Sequence, residues 1–382
     1  MRPSTGAKGW LMKLLHTADL HLDSPFSALG LEEAQARRQG QRELLKRIFD
    51  CAREENCDLI LMAGDVFDDR YVTPETEALF LELLERTPCQ VVISPGNHDP
   101  FVEGSFYQKN TQIERLHVFA ESALSYFDFP QWNTRVYGYA FRGQSMQESP
   151  LSFAEPPSEG AGIHLLCAHG DLMAPLSKYG PIMISDIVKF DIKYAALGHV
   201  HKAPEPVVTE GAWIGYSGIP EGRSFDETGE GGVWIVTVEE GGVVACERRI
   251  LSERSYVTAE LDVTSLGGEE EILSAIKKEA ERHLNTKGAH LRLRLVGSMD
   301  PRVSFRWLAD SNPSVELRNE TVPALSGESL KQDVTIRGAL YRTLYPSLIS
   351  GDREERLRAL RALQIGLAAI DERDIPTEED LT

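Results

Sequence analysis

Between Lys13 and about Lys202, short apolar runs repeatedly end in polar clusters: LLHTADLH, DLILMAGD, QVVISPGNHD, IHLLCAHGD and YAALGHVH. Runs of this kind predict buried strands, with the polar residues falling where each strand runs out into a loop. The stretches between them read as helices. From Leu31 to Glu55 the residues Leu44, Leu45, Ile48, Phe49 and Ala52 form an apolar stripe among Arg and Glu, the mark of an amphipathic helix. Thr73-Pro74-Glu75 opens another, with Thr73 as N-cap and Pro74 at the first helical position. After His201 the texture becomes strand-rich with Gly turns, in AWIGYSG, GGVWIVTVEEGG and VVACERRIL, which predicts a second sheet completing a sandwich.

Near Ser252 the theme changes again. SYVTAELDV reads as a strand, Glu269 to Leu284 as an amphipathic helix and HLRLRLVG as an alternating strand, together a small β-α-β module. Leu330 to Ile370 reads as helical, with Leu340, Leu344 and Leu348, then Leu357, Leu360, Leu363 and Leu367, at the apolar positions. No internal repeat or low-complexity linker interrupts the chain. Its 382 residues exceed one ordinary core, and the expected division is a large α/β domain over 12–250, a small α+β module over 251–328 and a helical segment over 329–382.

The polar clusters form an ordered set: Asp19-x-His21, Gly64-Asp65-x-x-Asp68, Gly96-Asn97-His98-Asp99, His169 and Gly198-His199-x-His201. Taken singly, a D-x-H pair or a histidine at a strand end is more often a surface or hydrogen-bonded residue than a ligand. Five such components, each at a strand end, have no explanation as core, and in open α/β sheets the carboxyl ends of strands are where ligands gather. Carboxylate, imidazole and amide groups without thiolate suit manganese, iron or zinc rather than copper(I) or iron–sulfur clusters, and the set is large enough for two ions. The glycines beside Asp65, Asn97 and His199 fit tight turns and close approach to an ion or phosphate. His16 and His164 lie within strands and read as packed residues or as partners of the ligands.

Charge complicates the picture. The formal net charge is −19, against a protein that coats nucleic acid with a uniformly basic surface; part of it is local, in Glu269-Glu270-Glu271 and Glu378-Glu379-Asp380. Hydrophobic residues make up 42% of the chain and charged ones 26%, as in folded globular proteins. Five scattered cysteines, an odd number without a C-x-x-C pair, suggest neither a disulfide framework nor a zinc knuckle and fit a reducing cytoplasm. The first twelve residues lack the apolar core of a signal peptide, and no run approaches the ~20 apolar residues of a membrane helix, so no membrane role is expected.

These ordered motifs resemble those of the calcineurin-like metallophosphoesterases. GDVFDD, GNHD and GHVH, with YSGIPEGRSFDETGEGGVWIVTVE from Tyr216 to Glu239, are similar to the SbcD-like DNA-repair nucleases, particularly their YhaO-like bacterial branch. The likeness spans roughly Met12 to Ile250. Phosphoprotein phosphatases of this fold usually carry GNHE and an Arg-Gly after the second acidic residue, where this chain has Asp99 and Asp68-Asp69-Arg70.

The resemblance implies a four-layer α-β-β-α sandwich with a small cap and a helical C-terminal segment. It also implies a pair of divalent ions, manganese first and iron or zinc as alternatives. Asp19, His21 and His201 would hold one ion and Asn97, His169 and His199 the other, with Asp65 bridging. His98 would contact the scissile phosphate and protonate the leaving oxygen, oriented by Asp99 or Asp68. The activity implied is a DNA exonuclease or endonuclease in double-strand-break repair, working with an SbcC-like ATPase of the SMC type that docks on the leucine face of the C-terminal helices; intramolecular packing is the other reading of that face. Homodimerisation through catalytic-domain helices is a family tendency. In the cap, Lys277, Lys278, Arg282, Lys287, Arg292 and Arg294 would face DNA phosphates or only solvent. The rival function is a small-molecule phosphodiesterase or phosphatase, such as a cyclic-nucleotide hydrolase, which the acidic charge favours.

Overall fold

The computed structural model describes residues 11–68, 72–156, 162–209, 211–285, 288–299, 312, 314–323 and 327–370. Asp69, Arg70, Lys287 and the acidic tail Glu378-Glu379-Asp380 lie outside the described residues. The chain divides into two units, Met1–Arg223 with Glu230–Ser252, and Ser224–Gly229 with Glu253–Thr382.

The first unit holds two six-stranded sheets. One contains β1 (Met12–Thr17), β2 (Leu59–Met62), β3 (Gln90–Ile93), β4 (Leu116–Val118), β11 (Gly232–Glu239) and β12 (Gly242–Ile250), in the order β12-β11-β1-β2-β3-β4. The other contains β5 (Ser125–Phe129), β6 (Thr134–Gly138), β7 (Ile163–His169), β8 (Ile192–Gly198), β9 (Val207–Thr209) and β10 (Ala212–Tyr216), in the order β5-β6-β7-β8-β10-β9. Within this unit the strands that follow His201 therefore build no sheet of their own: β10 extends the second sheet, and β11 crosses back to pair antiparallel with β1. Period-two reading misses this, because it says which faces a strand buries and nothing about which sheet it joins.

Side-chain alternation makes the layers. On β7 and β8, Leu165, Cys167, Tyr194 and Ala196 enter the core shared with the first sheet, whereas Leu166, Ala168, Ala195 and Leu197 enter a second core. Helix α1 (Leu31–Glu54) buries Leu44, Leu45, Ile48 and Phe49 in the first core, and α2 (Pro74–Arg86) adds Phe80 and Leu84. Thr73 caps α2, its side chain accepting from the Thr76 amide, with Pro74 in the first turn. The short helix α3 (Phe106–Lys109) places Phe106 and Tyr107 in that same core, and α4 (Ile184–Lys189) places Ile187 in the second. The result is the helix-sheet-sheet-helix sandwich. His16 of β1 spans its middle: fully buried, it accepts from the Tyr194 hydroxyl at 2.8 Å and donates to the Leu197 carbonyl at 3.1 Å.

In the second unit β13 (Ser255–Asp262), α5 (Glu269–His283) and β14 (Ala289–Val296) form a parallel β-α-β turn; β15 (Ser298–Met299) and β17 (Val322–Pro323) form a separate short ladder, and β16 (Val315–Asn319) adds a third parallel strand. Leu291, Leu293 and Leu295 alternate into a core with Ile272 and Ile276. The alternate arginines are matched by acids: Arg292 forks onto Glu316 at 3.1 Å, and Arg294 pairs with Glu320 and Glu260. The C-terminal helices α6 (Gly327–Gln332), α7 (Ile336–Leu348) and α8 (Arg353–Ile370) belong to this unit. Of the face formed by Leu357, Leu360, Leu363 and Leu367, the last three are buried, so most of that face is already covered by this chain, in line with the intramolecular reading. Among the described residues no helix is long and apolar enough to cross a membrane, and all five cysteines are free thiols.

Candidate metal centre

Each functional side chain comes from just past a strand, as the polar ends of the apolar runs imply. β1 leads to Asp19 and His21, β2 to Asp65 and Asp68, β3 to Asn97 and His98; β7 ends on His169, and β8 leads to His199 and His201. The first three strands belong to one sheet and the last two to the other, so the site forms where the carboxyl ends of both sheets meet. Backbone bonds sew these loops together: the amides of Asp19, His21 and Leu22 donate to the carbonyls of Gly64, Asp65 and Val66 at 2.9–3.0 Å. Asp19, His21, Asp65 and His199 all have positive φ, between 46° and 105°, a conformation unfavourable for residues with a Cβ and typical of functional loops. Gly64 has φ 86°, and a Cβ there would sit 2.5 Å from the His169 ring. A Cβ on Gly198 would collide with the Ala63 carbonyl; the close approach these glycines permit is of backbone to ligand-bearing segments.

Three overlapping groups have their nitrogen and oxygen atoms within 4.8 Å of one another: Asp19, His21 and His201; Asp19, Asp65 and His169; His21, Asp68 and His98. Asp65 links them. Its Oδ1 accepts the His98 amide at 2.9 Å, and its Oδ2 lies 3.4 Å from His169 Nε2 and 3.9 Å from His21 Nε2. Asn97 Oδ1 is 3.1 Å from His169 Nε2, and His201 Nε2 is 3.2 Å from His21 Nε2. His199 enters from its backbone side, its amide donating to Asp19 Oδ1 at 3.0 Å, while its Nε2 lies 3.6 Å from Asp171 Oδ1.

The far nitrogens are anchored, which decides what the near ones offer. His169 Nδ1 bonds the Ala63 carbonyl at 2.9 Å and His21 Nδ1 bonds Asp68 Oδ1 at 2.8 Å. A carbonyl can only accept and a carboxylate accepts, so both rings donate from Nδ1 and turn Nε2, with its lone pair, inward; outer hydrogen bonds of this kind orient metal-ligating histidines. Asp19 is fully buried and Asp65 is 2% exposed, and buried carboxylates require a compensating positive charge. Burial opposes charge on His169, yet Asp65 and Asp19 outweigh it and hold that imidazole up at about 9. Burial pushes the Asp19 carboxyl up, with Asp65 adding to it. The centre thus calls for cations, and its all-oxygen-and-nitrogen donor set fits divalent ions.

Two acids take different parts. Asp68 Oδ1, besides its bond to His21, lies 3.3 Å from His98 Nδ1; burial would raise its pKa, and the two imidazoles bring it well below the usual carboxylate range. Asp99 is turned away from that histidine. Its carboxylate accepts the amides of Asp65, Val66, Phe67 and Gly96 at 2.8–3.1 Å and the Tyr107 hydroxyl at 2.5 Å. Of the two partners expected to orient His98, the one within reach is therefore Asp68, while Asp99 braces the loop that carries Asp65. Tyr107 carried no signal in the sequence, and Asp171 stood out only as the end of the IHLLCAHGD cluster, since each acts through a partner brought close only by folding.

The calcineurin-like phosphoesterase model matches residues 12–203, half of the chain and every strand-end cluster. The chain belongs to this family. It is similar to the uncharacterized metallophosphoesterase YhaO of Bacillus subtilis, 28% identical over 297 residues that cover 75% of this chain and 71% of that one. The SbcD component of the nuclease SbcCD of the same organism is 26% identical over 281 residues, 63% of this chain and 70% of that protein. The DNA double-strand break repair protein Mre11 of Methanopyrus kandleri is 24% identical over 294 residues, 70% of this chain and 63% of that protein. Membership makes the chain a phosphoester hydrolase of the divalent-metal class.

Proposed function

We propose that this phosphoesterase is a two-metal nuclease that cleaves the phosphodiester backbone of DNA in double-strand-break repair, with an SbcC-like SMC-type ATPase as its partner in the cytoplasm. The observation that carries the two-metal reading is Asp65 Oδ2, set between the inward nitrogens of His169 and His21. Asp19, His21 and His201 would hold one ion, Asn97, His169 and His199 the other, and Asp65 would serve both. Paired divalent ions, manganese in the first instance, supply an activated water and neutralise phosphate charge.

The chain's own residues do the rest. His98 has a half-exposed side chain and its Nδ1 next to Asp68, so its other nitrogen is directed away from that carboxylate. Asp68 favours the imidazolium form, and the pKa of His98 is raised accordingly. As water oxygen joins phosphorus and the ester P–O bond breaks, His98 gives its proton to the departing oxygen. Asp99 and Tyr107 keep the Asp65 loop fixed so that the donors need no rearrangement during the reaction.

DNA as substrate is supported by the nuclease relatives, whereas the net charge of −19 favours a small phosphodiester. Hydrolysis by manganese-loaded protein separates them: end-labelled single- and double-stranded DNA are compared with bis-p-nitrophenyl phosphate, and His98→Ala is the control. DNA cleavage that vanishes in the variant is expected; turnover of the small ester with DNA left intact overturns the nuclease reading.

A further inference from the structure

The segment Glu221–Arg223 follows the second sheet and is pinned to α1 by two arginines. Arg47 donates to Glu221 Oε2 at 3.2 Å and to the Leu251 carbonyl at 3.0 Å. Arg37, 8% exposed, donates to the carbonyl of Arg223 itself at 2.7 Å. These bonds fix the backbone from which the Arg223 side chain leaves. That side chain is 23% exposed and reaches Ser24 Oγ at 3.4 Å and Asp68 Oδ1 at 3.7 Å. It therefore stands beside the carboxylate that also serves His21 and His98.

We infer that Arg223 binds a phosphate oxygen of the substrate on the leaving-group side of the metal centre. The inference rests on the metal-dependent phosphodiesterase reading above. A guanidinium held next to a centre that takes divalent cations is repelled by them until an anion lies between, and a planar fork of N–H donors suits a phosphate oxygen pair. The clamp from α1 fixes the backbone that carries the group beforehand, so little backbone freedom is lost on binding. The oxygen belongs either to the scissile phosphate or to the next phosphate along a polynucleotide, and the two sources differ in which substrates feel the loss.

The test uses full-length Arg223→Gln and Arg223→Lys loaded with manganese. Metal content equal to wild type is expected, with affinity for inorganic phosphate, measured by isothermal titration, lowered about tenfold in Arg223→Gln and DNA turnover lowered about ten- to hundredfold. Arg223→Lys and added guanidinium each restore part of the loss. Loss on bis-p-nitrophenyl phosphate as well assigns the scissile phosphate; loss confined to DNA assigns the neighbouring one. Unchanged phosphate binding and turnover overturn the inference, as does metal loss that accounts for the lost activity. Wild-type protein that hydrolyses the small ester and spares DNA sinks the nuclease reading instead, and the phosphate titration then still decides the role of Arg223.

Discussion

Charged residues crowd two regions of this chain, with opposite meanings. On β14 the arginines alternate with leucines, and each meets a glutamate: Arg292 with Glu316, Arg294 with Glu320 and Glu260. At the ends of β1, β2, β3, β7 and β8 the carboxylates and imidazoles converge in burial, and the pull of Asp65 and Asp19 raises the pKa of His169 against its burial. The difference lies in where the counter-charge comes from. A polar cluster whose partners are all supplied by the chain is a solvent face that organises itself; one short of positive charge, with its lone pairs facing inward, is built around something else.

Substitutions can break this comparison, and the largest effect is expected at Asp65. Asp65→Asn removes the charge of the bridging carboxylate, and turnover of bis-p-nitrophenyl phosphate should fall about 10⁴-fold; a loss under tenfold would show that Asp65 is not the shared ligand. His98→Ala should lose about 10³-fold in kcat with its metal content intact, which elemental analysis beside steady-state kinetics will check. Asp99→Ala leaves four backbone amides and the Tyr107 hydroxyl without their acceptor. It should lower unfolding free energy by about 3 kcal/mol or more, read from denaturant titration.

A smaller effect is tied to pH. Burial drives His16 down to about 3, below the value near 6.5 of an unfolded histidine. As pH falls through about 6.5 the unfolded chain takes up this proton and the folded chain does not. Stability is therefore present above that pH and is lost toward pH 3, by up to ~1.4 kcal/mol per pH unit. Denaturant midpoints from pH 7 to 4.5 should show this slope in wild type and a shallower one in His16→Gln. Smallest of all, Arg292→Ala in the second unit should change stability by less than about 1 kcal/mol and leave ester hydrolysis unchanged; a large loss of turnover would give β14 a part in the site.

The strand-end positions of the polar clusters were legible in the sequence, as was the sandwich, whereas the sheet each strand joins was not. Asp19, His21, Asp65, Asn97, His169, His199 and His201 stand at strand ends because apolar runs stop there, and that punctuation is local. The sheet to which each strand belongs is not local: β11 returns across the chain to pair with β1, and nothing in GGVWIVTV names its partner. The roles of Asp68 and Asp99 were also hidden. Asp99 adjoins His98 in sequence and Asp68 belongs to a distant motif, yet Asp68 reaches the His98 ring and Asp99 turns into the backbone of the Asp65 loop. The leucines of α8 were ambiguous for a related reason, since an apolar helix face reads alike whether its cover is the same chain or another.

The most direct test of the central claim is the metal stoichiometry of the protein. Calorimetric titration of manganese into metal-free wild type should give two equivalents per chain, with His98→Ala binding both and Asp65→Asn retaining neither tightly. One equivalent or none in wild type, or two retained in Asp65→Asn, would contradict a paired-ion centre built on that carboxylate.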